Sequence, residues 1–239
     1  MKKENAHPYG LRPPSGVVFD LDGTLIRSRI DFLRMKERII AYLNNLGAIP
    51  EGINSDMLVT EIVESAVNYL KLHRRSLLQT AVQEIERIMN EVEMEGLKFA
   101  SPIRGAKVAL RSLRSRGIKL GVLTRSCREY ALKSLEKAGL INLIGYLVAR
   151  GDTPKPKPNP EAALKLAERM NLSPKEVLMV GDHALDAVCA KKAGMTFLGV
   201  LTGASTVEDF RRIGCPFVKS VKELPRFVAD VGRAADQSG

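Results

Sequence analysis

The pattern of apolar and polar residues changes twice along the chain. A short apolar run at residues 17–19 predicts a buried strand near the N-terminus. Segments with helical spacing follow between residues 31 and 96, and beyond Pro102 short apolar strands alternate with amphipathic helices. The helical segments have apolar residues at positions 32, 35, 39, 43 and 46, at 59, 62, 66 and 70, and at 78, 81, 85, 88 and 92. This order predicts a parallel sheet with helices on both faces and an inserted all-helical unit.

The second half of the chain defines the sheet more closely. We predict strands at residues 118–124, about 145–149, 177–180 and 196–201. Ser126 and Glu129 have the spacing of a capping box, which predicts the start of a helix between the first two of these strands. Asn159 as a cap, followed by Pro160 at the first helical position, predicts the next helix. The expected fold class is therefore α/β, with a Rossmann-like parallel sheet.

Domain boundaries follow from the same change of pattern. We predict a flexible N-terminal tail at residues 1–15, an α/β core domain from residues 16–28 and 99–239, and a helical unit at residues 29–98. A chain of 239 residues is long enough for such a domain with a modest insertion to bury a substantial core.

Composition places the chain among soluble globular proteins, since 45% of its residues are hydrophobic and 27% are charged. The longest stretch without a polar side chain, residues 143–149, is far shorter than the roughly 18 residues that a membrane span requires. Cys127, Cys189 and Cys215 form no CxxC pair, which favours a reducing compartment. We therefore expect a cytoplasmic protein without a membrane partner.

A net charge of +10 raises the question of nucleic acid as a partner. The densest basic group, between Arg104 and Lys119, surrounds an amphipathic helix whose outer face such charges solvate. No aromatic platform for stacked bases accompanies these charges. We expect no nucleic-acid partner.

Polar side chains follow several of the predicted strands. They are Asp20 and Asp22, Thr124, Lys157 in a proline-rich loop, and Asp182 with Asp186. Ligands bind outside the carboxyl ends of the strands in open parallel sheets, so these side chains are expected to converge. Asp20 and Asp22 repel each other by about 4 kcal/mol if their charges lie ~4 Å apart at a surface-like dielectric. This repulsion requires a compensating positive charge.

The carboxylates themselves indicate which cation compensates them. Asp182 and Asp186 are four residues apart, one helical turn, and join Asp20 and Asp22 at the same edge of the sheet. A site of oxygen ligands without paired His or Cys residues favours Mg2+ over zinc.

Thr124 and Lys157 are candidates for binding an anion. Thr124 precedes a predicted helix N-terminus, where backbone N–H groups and the helix dipole attract negative charge. Lys157 would supply a full positive charge where an anionic substrate meets an anionic nucleophile, and Lys155 is its alternative in the same loop.

The order of these motifs resembles that of the haloacid dehalogenase-like hydrolase superfamily. The matching features are DxDGT after an apolar strand, a threonine ending a second strand, a KPxP lysine and GDxxxD after a third strand, which span residues 17 to about 201. The resemblance implies a Rossmann-like core with a helical cap that closes over small substrates. Within the superfamily, the helical unit and the KPNP loop look most like phosphoglycolate phosphatase.

The resemblance also implies roles for the matching residues. Asp20 corresponds to the nucleophile that forms an aspartyl-phosphate, and Asp22 to the general acid and base. Thr124 and Lys157 would hold the phosphoryl oxygens, and Arg125, where a small or amide residue is common, would favour an additional anionic group.

The same comparison assigns the metal ligands. Mg2+ would be held by the Asp20 carboxylate, the Asp22 main-chain carbonyl and Asp182, with Asp186 acting through a bound water or orienting Lys157. Gly23 would allow the chain to turn sharply after the two acids.

We therefore expect a Mg2+-dependent phosphatase that hydrolyses a small phosphate monoester, phosphoglycolate-like or a sugar phosphate. Its partner would be a small phosphorylated metabolite, and the chain would be a monomer or a homodimer. One alternative is a sugar phosphomutase of the same superfamily. Another is a non-catalytic module that binds anions or nucleic acid.

Overall fold

A computed structural model of the chain describes residues 13–236, with side chains described up to residue 233. The predicted tail at residues 1–15 therefore lies outside the described residues except for its last three. Ser15 is hydrogen-bonded through its backbone to Glu176 and Lys119. The described residues divide into two compact units, one formed by those up to Ser28 together with those from Ala100, the other by Arg29–Phe99.

The first unit contains a parallel sheet formed by β1 Gly16–Phe19, β4 Lys119–Leu123, β5 Tyr146–Val148, β6 Val177–Gly181, β7 Thr196–Val200 and β8 Phe217–Val218. The order of these strands in the sheet is β5-β4-β1-β6-β7-β8. Two short strands, β2 Ile26–Arg27 and β3 Ser101–Pro102, pair antiparallel in a separate sheet. The predicted Rossmann-like α/β fold is thus confirmed, and the pair formed by β2 and β3 is an addition to the prediction.

Helices pack in layers on this sheet. The helices of the first unit are α4 Ala106–Arg114, α5 Arg128–Lys137, α6 Glu161–Arg169, α7 Ala184–Ala193, α8 Val207–Ile213 and α9 Leu224–Asp236. Helix α6 packs against α7, and α4 packs against α9. Val18 and Met179 share a buried apolar cluster with α6 and α7. Because side chains alternate along a strand, Val17 and Phe19 point to the opposite face, where they are also fully buried.

The second unit is built from α1 Phe32–Asn45, α2 Val59–His73 and α3 Leu78–Gly96, which pack pairwise. The predicted apolar stripes are buried at most positions, as Met35, Ile39 and Leu43 of α1 show, whereas Phe32 at the first turn remains 48% exposed. Ion pairs between Arg34 and Glu95 and between Arg38 and Glu91 connect α1 with α3.

The predicted capping box at Ser126 and Glu129 was wrong. Helix α5 begins one residue later than that box requires, and the Sγ of Cys127 accepts the cap hydrogen bond from the Tyr130 backbone N–H. The Ser126 hydroxyl instead donates to Asp22. The start of α6 is close to its prediction, because Asn159 Oδ1 accepts from the backbone N–H of Glu161 at 3.0 Å.

Within residues 13–236, no helix combines the length and the apolar character that a membrane span requires.

Candidate active site

The strand order reverses at β1, the central strand, so that β4 lies on one side of it and β6 on the other. The chain therefore leaves these neighbouring strands in opposite directions, and a crevice opens at their carboxyl ends. The predicted site residues Asp20, Thr124 and Asp182 each follow one of these strands. The topology thus places one acid or hydroxyl from each strand at the same edge.

Lys157 links two of the predicted acids. Its Nζ donates hydrogen bonds to Asp20 Oδ1 and, at 2.7 Å, to Asp186 Oδ1. The side chains of Lys157 and Asp186 are almost completely buried, and that of Asp20 is 13% exposed. Lys155, the alternative in the same loop, is exposed. Of the two candidate lysines, the geometry therefore brings Lys157 to the acids.

Burial and the neighbouring charges act in opposite directions on the pKa of Lys157. Burial acts to lower the pKa of its ammonium group, but the charges of Asp186 and Asp20 outweigh burial and raise this pKa above the ordinary value. For Asp20, burial raises the pKa of the carboxyl well above its usual range, Lys157 acts against this, and Asp186 and Asp182 raise it further. The site therefore holds more buried negative charge than the lysine offsets.

Asp182 is held by hydrogen bonds to both of its carboxylate oxygens. The hydroxyl of Thr24, which is completely buried, donates to Oδ1 at 3.0 Å, and the backbone N–H of Ala204 donates to Oδ2 at 2.8 Å. Burial raises the pKa of Asp182, while the bond from Ala204 opposes this shift. The loop after β7 therefore positions Asp182, a role that the sequence pattern did not indicate.

Two glycines, Gly23 and Gly203, allow the backbone to lie close to the Asp182 carboxylate. Gly23 has a φ of 84°, a conformation that favours glycine, and its carbonyl accepts a hydrogen bond from Thr202 Oγ1 at 2.5 Å. A Cβ atom at Gly203 would lie 1.8 Å from Asp182 Oδ2, so a side chain at this position would collide with the carboxylate.

Asp20, Asp182 and Asp186 form what we call the carboxylate cluster. One oxygen from each lies within 4.8 Å of the others, a spacing suited to a shared metal ion. The ligand set consists of oxygens. Burial, together with the charge of the neighbouring Asp186, raises the pKa of both Asp20 and Asp182. These residues fit Mg2+ by the chemistry of their donors.

Asp22 accepts hydrogen bonds from two residues near the start of α5. Its Oδ2 accepts a hydrogen bond from Ser126 Oγ at 3.1 Å, and its Oδ1 accepts one from Tyr130 OH at 2.9 Å. The two aspartates predicted to repel each other thus have different partners, because Asp20 binds Lys157 and Asp22 binds residues at the start of α5. Tyr130 was missed by sequence reasoning, because a tyrosine at a helical spacing has the pattern of a core residue.

Thr124 and Arg125 lie between β4 and α5. The side chain of Thr124 is buried, and its Oγ1 accepts a hydrogen bond from the Ser126 backbone N–H at 3.0 Å. Arg125 is partly exposed, and its carbonyl accepts from Arg150 Nη1 at 3.0 Å. The structure thus places Thr124 at the strand end beside Asp22's partners.

Residues 17–200 match the family model of haloacid dehalogenase-like hydrolases, and the chain belongs to this family. A phosphoglycolate phosphatase of Cereibacter sphaeroides is 30% identical over 190 residues, which cover 76% of this chain and 83% of that protein. A provisionally named pyrophosphatase of Clostridium perfringens is 28% identical over 194 residues, 80% of this chain and 86% of its own. The resemblance inferred from the motifs is confirmed, and the chain is a hydrolase of this family.

The fold is also that of a solved hydrolase from Pseudomonas syringae, with a TM-score of 0.69 at 20% identity. The similarity covers 91% of this chain and 99% of that structure.

Replacing Lys157 by methionine is expected to destabilise the protein by about 3–5 kcal/mol, because it leaves Asp20 and Asp186 buried without their cation. Chemical denaturation in metal-free buffer measures this change. Lys155→Met is the matched control, and since Lys155 is exposed its effect should stay within about 0.5 kcal/mol. Equal effects of the two substitutions would contradict a special role of Lys157.

Proposed function

We propose that the chain is a Mg2+-dependent phosphatase that hydrolyses a small phosphate monoester through an aspartyl-phosphate at Asp20. The observation that carries this proposal is the position of Asp20: it follows the central strand, is ion-paired with buried Lys157 and belongs to the carboxylate cluster. The phosphoglycolate phosphatase among the relatives supports a small phosphorylated acid as the substrate.

In the first step, a carboxylate oxygen of Asp20 attacks phosphorus, and the bond between phosphorus and the ester oxygen breaks. Asp22 donates a proton to the departing oxygen, so that this oxygen leaves as a neutral hydroxyl group of the product. Lys157 holds the Asp20 carboxylate in place, and with Thr124 it binds oxygens of the transferring phosphoryl group.

In the second step, Asp22 accepts a proton from a water molecule as that water attacks phosphorus. The bond between phosphorus and Asp20 breaks, which restores the carboxylate and releases inorganic phosphate. Asp22 is therefore protonated again and ready for another ester.

Asp20, Asp182 and Asp186 would hold the Mg2+, together with the main-chain carbonyl of Asp22. When bound, Mg2+ supplies the positive charge that allows an anionic nucleophile to approach an anionic phosphoryl group. Thr24 and Ala204 keep Asp182 directed for this purpose through the hydrogen bonds to its two oxygens.

A phosphate-release assay with the full chain tests the proposal. 2-Phosphoglycolate should be hydrolysed with Mg2+, activity should disappear when EDTA removes the metal, and excess Mg2+ should restore it. Pyrophosphate should be tested in the same assay, because the Clostridium perfringens relative is named a pyrophosphatase. If pyrophosphate were hydrolysed faster than 2-phosphoglycolate, the substrate would be a phosphoanhydride and not a phosphate monoester.

Conversion of β-glucose 1-phosphate to glucose 6-phosphate without phosphate release would identify a mutase instead. Salt-sensitive binding to duplex DNA without any turnover would indicate a binding module.

A further inference from the structure

Tyr130 is a fully buried tyrosine in the first turn of α5, and its hydroxyl donates to Asp22 Oδ1 at 2.9 Å. A buried phenol hydroxyl requires a hydrogen-bond partner, whereas a phenylalanine would satisfy the packing alone. The partner here is a carboxylate more than one hundred residues earlier in the chain. The hydroxyl is therefore directed at Asp22.

The other carboxylate oxygen of Asp22, Oδ2, is held by Ser126, which lies just before α5. Ser126 Oγ donates to Oδ2 at 3.1 Å, and the Ser126 backbone N–H is fixed by Thr124 Oγ1 at 3.0 Å. Two donors on separate oxygens restrict rotation of the Asp22 side chain about both of its torsions. The carboxylate thus has a defined position relative to β4 and α5.

We propose that Tyr130 is a positioning residue for Asp22, an inference that rests on the proposed phosphatase function. Tyr130 donates to Oδ1 in both protonation states of Asp22, so Oδ1 is the anchored oxygen. Ser126 can donate to Oδ2 or accept from it, because a hydroxyl does both. Oδ2 is therefore the oxygen that gives its proton to the leaving group and later receives a proton from water.

Loss of the Tyr130 hydroxyl is expected to displace the Asp22 carboxyl group from the position in which it transfers protons. Proton transfer needs the two heavy atoms within about 2.6–3.2 Å of each other. Displacing a reacting group by about 1 Å costs on the order of 10²-fold in rate. Without the Tyr130 hydroxyl, Asp22 loses the donor to its Oδ1 and occupies the productive position for a smaller fraction of the time.

Tyr130→Phe removes this hydroxyl and keeps the buried ring. We expect kcat for phenyl phosphate, whose leaving group needs a proton, to fall at least about tenfold, with KM changed less than about twofold. The loss should be smaller for the release of 4-nitrophenol from 4-nitrophenyl phosphate in the first turnover, because this leaving group departs with little protonation. Tyr146→Phe, which removes a phenol hydroxyl on β5, is the matched control and should keep wild-type kinetics.

A double-mutant cycle separates positioning from a general structural effect. In the Asp22→Asn background, Tyr130→Phe should change the residual kcat less than twofold, because the acid it positions is already absent. A tenfold loss in both backgrounds would overturn the inference and indicate a structural role. If Tyr130→Phe fails to fold, Ser126→Ala takes its place in the cycle, with the same selective loss expected and the same result overturning it.

Failure of the positioning role of Tyr130 and failure of the proposed phosphatase function give different results. Mg2+-dependent turnover by the wild type that is lost in Asp20→Asn supports the phosphatase by itself. Wild-type kcat in Tyr130→Phe would then overturn only the positioning role, whereas an inactive wild type would overturn both.

Discussion

Asp20→Asn is expected to reduce phosphate release by at least about 10³-fold, because an amide has no anionic oxygen to attack phosphorus. The substitution keeps the size of the side chain and removes one charge from a site with excess buried negative charge. We therefore expect folding to be preserved, which circular dichroism and thermal unfolding can check. Steady-state kinetics with 2-phosphoglycolate and 4-nitrophenyl phosphate measure the loss.

Asp22→Asn is the matched comparison, since it makes the same chemical change two residues later. General acid and base catalysis contributes about 10²–10⁴-fold, so turnover should also fall strongly. The two variants should differ in one respect: only Asp22→Asn retains the nucleophile and can accumulate a phosphorylated enzyme. Wild-type turnover in Asp20→Asn would contradict the assignment of the nucleophile.

Gly203→Ala is expected to weaken Mg2+ binding at least about tenfold. Its Cβ would lie 1.8 Å from Asp182 Oδ2 and 2.3 Å from Asp182 Cγ, so either the carboxylate or the loop must move. Movement of either breaks the hydrogen bond from the Ala204 N–H and turns Asp182 away from the position where it approaches Asp20 and Asp186. Isothermal titration with Mg2+ measures the affinity directly, and the metal dependence of kcat should shift to higher Mg2+ concentration.

Gly145→Ala provides the control for this substitution. The nearest atom to its added methyl group is the carbonyl oxygen of Leu120, at 3.7 Å, which is an ordinary contact. Its Mg2+ affinity should therefore equal that of the wild type. Unchanged Mg2+ affinity in Gly203→Ala would show that the loop after β7 does not position the metal ligand.

The sheet was predictable because its strands are nearly uninterrupted apolar runs. Val17–Phe19 and residues 177–180 are buried on both faces, and buried strands require apolar residues at successive positions. The pair formed by β2 and β3 was not predictable, because each has only two residues and their pairing joins segments about seventy-five positions apart. Local periodicity contains no information on such a pairing.

The acids of the site were predictable for a related reason. Asp20 and Asp182 each follow a buried strand, and parallel strands bring such residues to one edge. The residues that hold them were not predictable, since Tyr130 and Ala204 contact the acids across long sequence separations. Ser126 shows the limit of local rules, because its spacing with Glu129 predicted a cap while its hydroxyl instead binds Asp22.

During turnover the phosphoryl group is expected to form a covalent bond to Asp20. The most direct test mixes Asp22→Asn with Mg2+ and 4-nitrophenyl phosphate, quenches the reaction in acid within its first turnover, and maps the digested chain by mass spectrometry. We predict a phosphoryl group on the peptide that contains Asp20, and none when Asp20→Asn is combined with Asp22→Asn. Release of 4-nitrophenol without any phosphorylated peptide, or with the phosphoryl group on another residue, would contradict a covalent intermediate at Asp20.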